Sequence, residues 1–343
     1  MKKLLNTLYV TTQGAYLKKD GMAIDVRIQN KSAARLPVLN LNAIIAFGRV
    51  LVSPPLMNYC AENDIHIAFL REDGRFLARV QGPVSGNVLL RREQYRAADS
   101  PERVAAIVRN ILRAKLANSK NVLARFLRDH PETDRPRIED AVNMIRNLIG
   151  ALSRNGADIA ALRGIEGAAA DAYFTVFESL ITVNDPEFRF KSRSRRPPMD
   201  PVNAMLSFAY TILTNEMTAA LESVGLDPAV GFLHTDRPGR VSLSLDLLEE
   251  FRSFLADRLV LSLINLKQVV PSDFEYSRDG AVKMSDKARK TLLTAWQERK
   301  REEILHPFVN EKVKLGLLPF LQARLLAKHI RGEISQYPPF AWR

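Results

Sequence analysis

The sequence predicts an α+β protein of two domains, a small N-terminal β-rich domain over residues 1–86 and a larger all-α domain over 87–343. Three observations carry that reading. The hydrophobic period changes from two to 3.6 near residue 86. Gly82-Pro83 and Ser85-Gly86 punctuate the chain at the same place. A length of 343 residues exceeds what one hydrophobic core usually organises.

In the first part, LYVT, AYLKK, AIDVRI and ARLPVL alternate in the manner of strands, separated by Lys19-Asp20-Gly21 and Gln29-Asn30 as turns. Apolar AIIAF follows, then a short helix opened by Pro54-Pro55, where a missing N–H costs nothing. IHIAFL and RFLARV flank Glu72-Asp73-Gly74 and read as a hairpin. His66 falls on that hairpin as a strand-face histidine, and Arg71, Arg75 and Arg79 as charges that discourage edge pairing.

Beyond residue 86 the elements are amphipathic helices. NVLLRREQYRAA comes first; Ser100-Pro101 then caps the long pattern VAAIVRNILRAKLANSKNVLARFL. IEDAVNMIRNLIGAL, a polar connector over 154–160 and LRGIEGAAADAYFTVFESLI continue the series. DPEFRFKSRSRRPPMDP combines prolines with like charges and reads as an irregular loop. Asp200-Pro201 then opens a long apolar helix that Gly225 ends. Asp227-Pro228 starts a short helix, AVGFLH, that puts His234 at its C-terminus. SLDLLEEFRSFLADRLVLSLI is the next helix, with Leu247, Leu248, Phe251, Phe254, Leu255 and Leu259 as its core stripe. A hairpin around Asp279-Gly280, helices near 285–305 and 316–331, and a tail, YPPFAWR, that packs or meets a partner complete the chain.

A formal charge of +12 favours a polyanionic partner, nucleic acid first. No run approaches the ~20 apolar residues of a spanning helix, and Asn6, Thr7 and Thr11 interrupt the segment that would make the N-terminus a signal peptide. The single cysteine, Cys60, excludes an intrachain disulfide, fits a reducing cytoplasm and sits among apolar neighbours as a small hydrophobe.

The candidate chemistry lies in GFLHTDRPGRVSLSLDLLEEFR, which holds His234, Asp246, Glu249 and Glu250. Imidazole nitrogen and carboxylate oxygen suit manganese-like ions, and carboxylates suit magnesium. Asp246, Glu249 and Glu250 share one side of a helix, at the rim of its apolar stripe. The same spacing also fits a capping box with Asp246 as N-cap, and a histidine at a helix C-terminus gains from the dipole without any ligand role. Glu166 shares a face with Ala169, Ala170, Tyr173 and Phe177, where a carboxylate is costly to bury unless paired or metal-bound; exposure in the first helical turn is the alternative. Together these groups point to metal-assisted phosphodiester chemistry. P-loop, dinucleotide, HExxH and GxSxG motifs are absent from the sequence. A non-catalytic DNA-binding scaffold and a general branched-DNA repair nuclease are the rival functions.

ARVQGPVSGNVLLRREQY, Glu166 in RGIEGAAADAYF, RSRRPPMDPVNAMLSFAYTIL, GLDPAVGFLH and GRVSLSLDLLEEFR together resemble the CRISPR-associated integrase that captures spacers, subtype I-C-like, in order over practically the whole chain. The resemblance implies a β-rich N-terminal domain that dimerises and a helical catalytic domain. It also implies a cytoplasmic prokaryotic endonuclease and integrase, dependent on Mg2+ or Mn2+, that joins short DNA fragments to a CRISPR array by transesterification. Its metal ligands fall on Glu166, His234 and Glu249, with Asp246 near the metal and Glu250 able to substitute on geometry. Lys191, Arg193, Arg195, Arg196 and Asn203 fall where the family faces DNA. Its implied partners are double-stranded and branched DNA, a second copy of the chain, and a small ferredoxin-like CRISPR-associated protein that the tail could meet.

Overall fold

The computed structural model describes residues 6–82, 88–131, 135–152 and 158–342. The boundary expected near residue 86, and most of the connector expected from 154, lie outside them.

The N-terminal part comprises β1 (Asn6–Val10), β2 (Tyr16–Asp20), β3 (Ala23–Ile28), β4 (Lys31–Pro37), β5 (Leu41–Phe47), β6 (Leu51–Val52), α1 (Pro54–Glu62), β7 (His66–Leu70) and β8 (Phe76–Val80). They form two four-stranded sheets, ordered β1-β5-β7-β8 and β4-β3-β2-β6. Gln29 and Asn30 both take positive φ in the β3–β4 turn, the geometry that matches strand twist in a tight hairpin. Ser53 accepts from the Leu56 N–H at the start of α1, and Pro54 needs no partner there. The parallel pairings β1–β5, β5–β7 and β2–β6 join strands distant in sequence. β5 serves two cores through its alternation: Ile44 and Ala46 pack with Leu17, Ile24 and Cys60 between the sheets, while Ile45 and Phe47 pack on the helices. Phe47 stacks on Phe208 at 5.4 Å. Cys60 is buried, and burial pushes its thiol up to about 12, so it is inert as a nucleophile.

The helical part contains α2 (Val88–Ala98), α3 (Pro101–Asp129), α4 (Arg135–Leu152), α5 (Ile159–Thr175), α6 (Pro201–Ser223), α7 (Ser242–Leu248) and α8 (Arg258–Asn265). The hairpin β9 (Phe274–Tyr276)–β10 (Val282–Met284), helix α9 (Asp286–Arg299), the hairpin β11 (Glu303–Leu305)–β12 (Lys312–Lys314) and α10 (Leu318–Ile330) complete it. Ser100 and Asp200 cap α3 and α6 as expected, and Gly225, with φ of 85°, follows the end of α6. α6 is buried on most sides and runs through the middle of the helical core.

Three expectations are corrected, and the tail is decided between its two alternatives. The C-terminal part is mostly helical, not all-α, because it carries two hairpins; one is the expected turn at Asp279-Gly280, the other replaces the end of the helix expected to reach 305. Residues 229–234 are not a helix, since the N–H groups of Phe232, Leu233 and His234 all bond to the Asp246 carboxylate instead of along the chain. The helix expected from 244 begins at Ser242 and passes through a π-helical segment, Arg252–Asp257, before α8. The tail packs inward: Tyr337, Phe340 and Trp342 are buried, with Phe340 and Trp342 against Phe251 and Phe254, which leaves these rings out of reach of a partner.

Candidate active site

α7 carries its acidic residues in a way that separates their roles. Because the helix starts at Ser242, Asp246 is an interior residue and Glu249 follows the last helical turn, so the capping-box reading does not hold. Asp246 is fully buried. Its Oδ2 accepts from the N–H groups of Phe232 (2.6 Å) and Leu233 (2.9 Å), and its Oδ1 from the N–H of His234 (2.9 Å) and from His234 Nδ1 (2.6 Å). A carboxylate can only accept, so Nδ1 carries the proton and Nε2 is left with its lone pair. Four donors occupy Asp246, so its place is beside the imidazole, orienting it. Gly231 makes this possible, since a Cβ there would lie 2.8 Å from both Asp246 Oδ2 and Ser242 Cβ. His234 opens into a groove shared with Tyr95, Asp99, Arg163 and Phe232, and Arg163 fixes the loop by donating twice to the Leu233 carbonyl.

Glu249 is 3% exposed and meets Glu166 through a residue that the motif pattern did not single out. Lys115, on α3, donates to Glu166 and lies 2.8 Å from Glu249 Oε2. The second contact is an ion pair without hydrogen-bond geometry, and Glu249 Oε2 has no hydrogen-bond partner. Arg252 holds Glu249 Oε1 at 2.6 Å. Burial works to raise the Glu249 pKa, but Arg252 and then Lys115 outweigh it and hold the group at about 2. The π segment brings Arg252 over the Tyr210 ring at 4.3 Å, and Tyr210 donates to Asp257 at 2.5 Å. Burial raises Asp257 to about 6.

Glu250 faces the other way. It accepts from Tyr337 Oη (2.6 Å), Gln322 Nε2 (2.9 Å) and the Phe340 N–H (2.8 Å), so it anchors the tail and does not substitute for Glu249. The basic loop divides as well. Lys191, Arg195 and Arg196 are exposed. Asn203 is fully buried, accepting from Arg193 and Ser194 N–H while donating to Ser192 O and Asp200, and Arg193 also reaches Ser207 and stacks on Tyr210. Asn203 therefore secures the loop to α6 and does not line a DNA-facing surface.

A match to the family model described as "CRISPR associated protein Cas1" spans residues 8–298. The chain belongs to the Cas1 family. A relative from Chlorobaculum tepidum, CRISPR-associated endonuclease Cas1 1, is 55% identical over 344 residues and covers 100% of both chains. Among solved structures, a casposase bound to integration product superposes with a TM-score of 0.83 at 22% identity, covering 98% of this chain and 94% of its own. A Cas6-RT-Cas1–Cas2 complex chain gives a TM-score of 0.83 at 22% identity over 100% of this chain and 36% of its own. These two share the fold.

Two carboxylates and an imidazole with its far nitrogen held by a carboxylate are donor types that suit Mg2+ or Mn2+. Among the described residues no three His, Cys, Asp or Glu side chains already converge as a metal cage; Lys115 stands between the two carboxylates. The donor chemistry suits the ion, and the ammonium of Lys115 takes the space between the two carboxylates. Sequence reasoning missed Lys115 because it is a polar residue on an otherwise ordinary amphipathic helix that only the tertiary fold brings to the acids, whereas Arg252 stands three residues after Glu249, a spacing the sequence does offer.

Proposed function

We propose that this chain inserts short foreign DNA fragments into a CRISPR array, using Glu166, His234 and Glu249 to hold Mg2+ or Mn2+. Membership of the Cas1 family makes it a CRISPR-associated nuclease of spacer integration. The observation that carries the site is the meeting of Glu166 from α5 with Glu249 after α7, beside an imidazole whose Nδ1 is held by Asp246.

A bound divalent ion supplies Lewis-acid polarisation of the scissile phosphate. The chain's own residues then have distinct tasks. Asp246 keeps His234 in the tautomer that presents Nε2. Arg252 holds Glu249 ionised and fixed. Lys191, Arg195 and Arg196 bind the DNA backbone, where contacts position the duplex without reading sequence. In strand transfer the fragment's 3′-oxygen forms a bond to phosphorus and loses its proton, while the array strand's bond from phosphorus to its 3′-oxygen breaks and that oxygen gains one. One phosphodiester replaces another, so no external energy source is required.

The assembly is part of the proposal. The N-terminal domain, residues 1–86, forms the homodimer, supported by the exposed Phe76 and Leu77 on β8, an edge strand. Branched and double-stranded DNA and a small ferredoxin-like CRISPR-associated protein are the partners; a shared fold with the Cas1 part of a complex containing Cas2 supports the latter. No described helix is long and apolar enough to cross a membrane, in line with a cytoplasmic place. The subtype I-C-like assignment is decided by the neighbouring genes.

The test is strand transfer by the purified protein on half-site DNA with Mg2+ or Mn2+. Glu166→Ala, His234→Ala and Glu249→Ala each abolish it while circular dichroism stays native. Full activity in all three would refute the site.

A further inference from the structure

A lysine in the middle of an acidic site is a chemical puzzle if the site's task is to hold a cation. Lys115 reaches it from α3 with a side chain 11% exposed, donates to Glu166 and pairs with Glu249 at 2.8 Å. Arg252 takes the other Glu249 oxygen at 2.6 Å. Asp246 keeps its negative charge but directs both oxygens to four N–H donors on the His234 side. Within the cluster of Glu166, Glu249, Lys115 and Arg252, two carboxylates face two cations, so those four groups are compensated in the protein alone.

We propose that Lys115 is a resident counter-cation, which exchanges with the divalent ion and, once displaced, turns to the scissile phosphate. This role rests on the metal site of Glu166, His234 and Glu249. Two geometric facts support it. An octahedral Mg2+ needs its oxygens at about 2.0–2.1 Å, and the ammonium occupies the space between the same two carboxylates. The lysine stem is long and flexible and the head is a compact point charge, suited to a change of partner that a rigid guanidinium could not make. In the free protein Lys115 also keeps Glu166 and Glu249 from repelling one another, and so preserves the spacing of the ligands.

The charge balance gives a consequence. Adding a divalent ion with Lys115 still nearby leaves surplus positive charge, which the DNA phosphate neutralises. Metal and DNA therefore favour each other, and by reciprocity each raises the affinity of the other by the same factor. Lys115 contacts the reacting phosphate and is a catalytic residue in this scheme, whereas Arg252, which remains on Glu249 and Tyr210, is a positioning residue.

The experiment is Mn2+ titration of the full-length protein by calorimetry, without DNA, for the wild type, Lys115→Met and Lys115→Gln, with strand transfer measured in parallel. Removing the competitor tightens Mn2+ binding by roughly tenfold or more, the effect of one nearby charge at intermediate dielectric, while the strand-transfer rate falls. Opposite movements of affinity and rate are the signature; a lysine that only braced the carboxylates would lower both. Unchanged or weakened Mn2+ binding in both variants overturns the exchange while leaving the metal site intact. Failure of every protein, wild type included, to bind Mn2+ overturns the metal reading and the exchange with it. Lys115→Gln retains a donor to Glu166, so that a folding defect in the methionine variant still leaves a measurable case.

Discussion

Glu249 and Glu250, consecutive in the chain, are buried with opposite compensation: Glu249 faces the cations Lys115 and Arg252, and Glu250 faces the neutral donors Tyr337, Gln322 and Phe340 N–H. The turn between α7 and the π segment points one inward to the reacting site and the other to the C-terminal tail. Glu250→Ala leaves the Tyr337 hydroxyl and the Phe340 N–H without their acceptor, while Gln322 Nε2 keeps Tyr337 Oη and Pro338 O. Unpaired buried groups cost about 1–3 kcal/mol each, less whatever relaxation recovers, so a fall in stability of about 2–4 kcal/mol is expected. Chemical denaturation measures it, and a change below about 0.5 kcal/mol, the size of an ordinary surface substitution, would contradict the anchoring role.

Asp246→Asn tests orientation separately from ligation. Every acceptor position of Asp246 is filled by an N–H, so an asparagine must turn its own NH2 against a donor or force the proton from His234 Nδ1 to Nε2. Either outcome disturbs the lone pair aimed into the groove. A loss of roughly 10–100-fold in Mn2+ affinity or strand-transfer rate is expected, the usual effect of removing an orienting partner. Native activity in this variant would show that His234 needs no such partner.

Gly231→Ala probes the same loop from its backbone. The new Cβ would meet Asp246 Oδ2 and Ser242 Cβ, each at 2.8 Å, and neither can retreat, since both residues are buried in α7. The loop moves instead and takes His234 with it. Overpacking costs of about 1–3 kcal/mol should appear as a lower melting temperature together with a reduced rate.

The parts of this architecture that are legible in the sequence are those governed by local chemistry. Pro54, Ser100-Pro101, Asp200-Pro201, Asp73-Gly74 and Asp279-Gly280 mark their caps and turns because each acts on its immediate neighbours. The parallel pairing of β1, β5 and β7 is illegible, since a strand's pattern does not name a distant partner. Residues 229–234 have helix-compatible side chains, yet a carboxylate twelve to fourteen positions away captures three of their N–H groups. Glu166 and Glu249 can be named from sequence, but Lys115 cannot: nothing in a basic amphipathic helix distinguishes the one lysine that turns inward. Asn203 likewise reads as polar and available until its hydrogen bonds to Arg193, Ser192, Ser194 and Asp200 are seen.

His66 gives the fold a dependence on pH. Its side chain is 9% exposed, burial lowers its pKa to about 4, and Arg79 acts in the same direction. Glu222, at 3.8 Å, does not offset this because it is engaged by Arg79 at 2.7 Å. The unfolded chain therefore takes up a proton near pH 6.5 that the folded chain refuses until about pH 4. Stability is full above pH 6.5 and falls with pH across that window by about 3 kcal/mol for this group. The half-buried Glu222, whose pKa burial raises, titrates in the opposite sense; comparison with His66→Leu isolates the histidine. Denaturation midpoints between pH 4 and 7 should fall less in the variant, and parallel curves would remove His66 as the cause.

The basic loop offers a separation between binding and scaffolding. Arg195 and Arg196 are exposed and Asn203 is buried, although all three lie close together in the chain. If the two arginines meet phosphates, replacing both with alanine releases fewer counterions on binding. The salt slope of DNA affinity then falls by roughly one for each phosphate no longer neutralised, uniformly across sequences. Asn203→Ala acts through the fold instead: it removes the partner of the Ser194 N–H and of the Ser192 carbonyl and should cost about 2 kcal/mol in stability, with the salt slope unchanged at temperatures where the protein stays folded. Fluorescence anisotropy across a salt series reads the first and thermal unfolding the second. A double arginine variant with the wild-type slope would place the DNA elsewhere on the protein, and an Asn203 variant of native stability would mean that the loop is held by Arg193 and Ser207 alone.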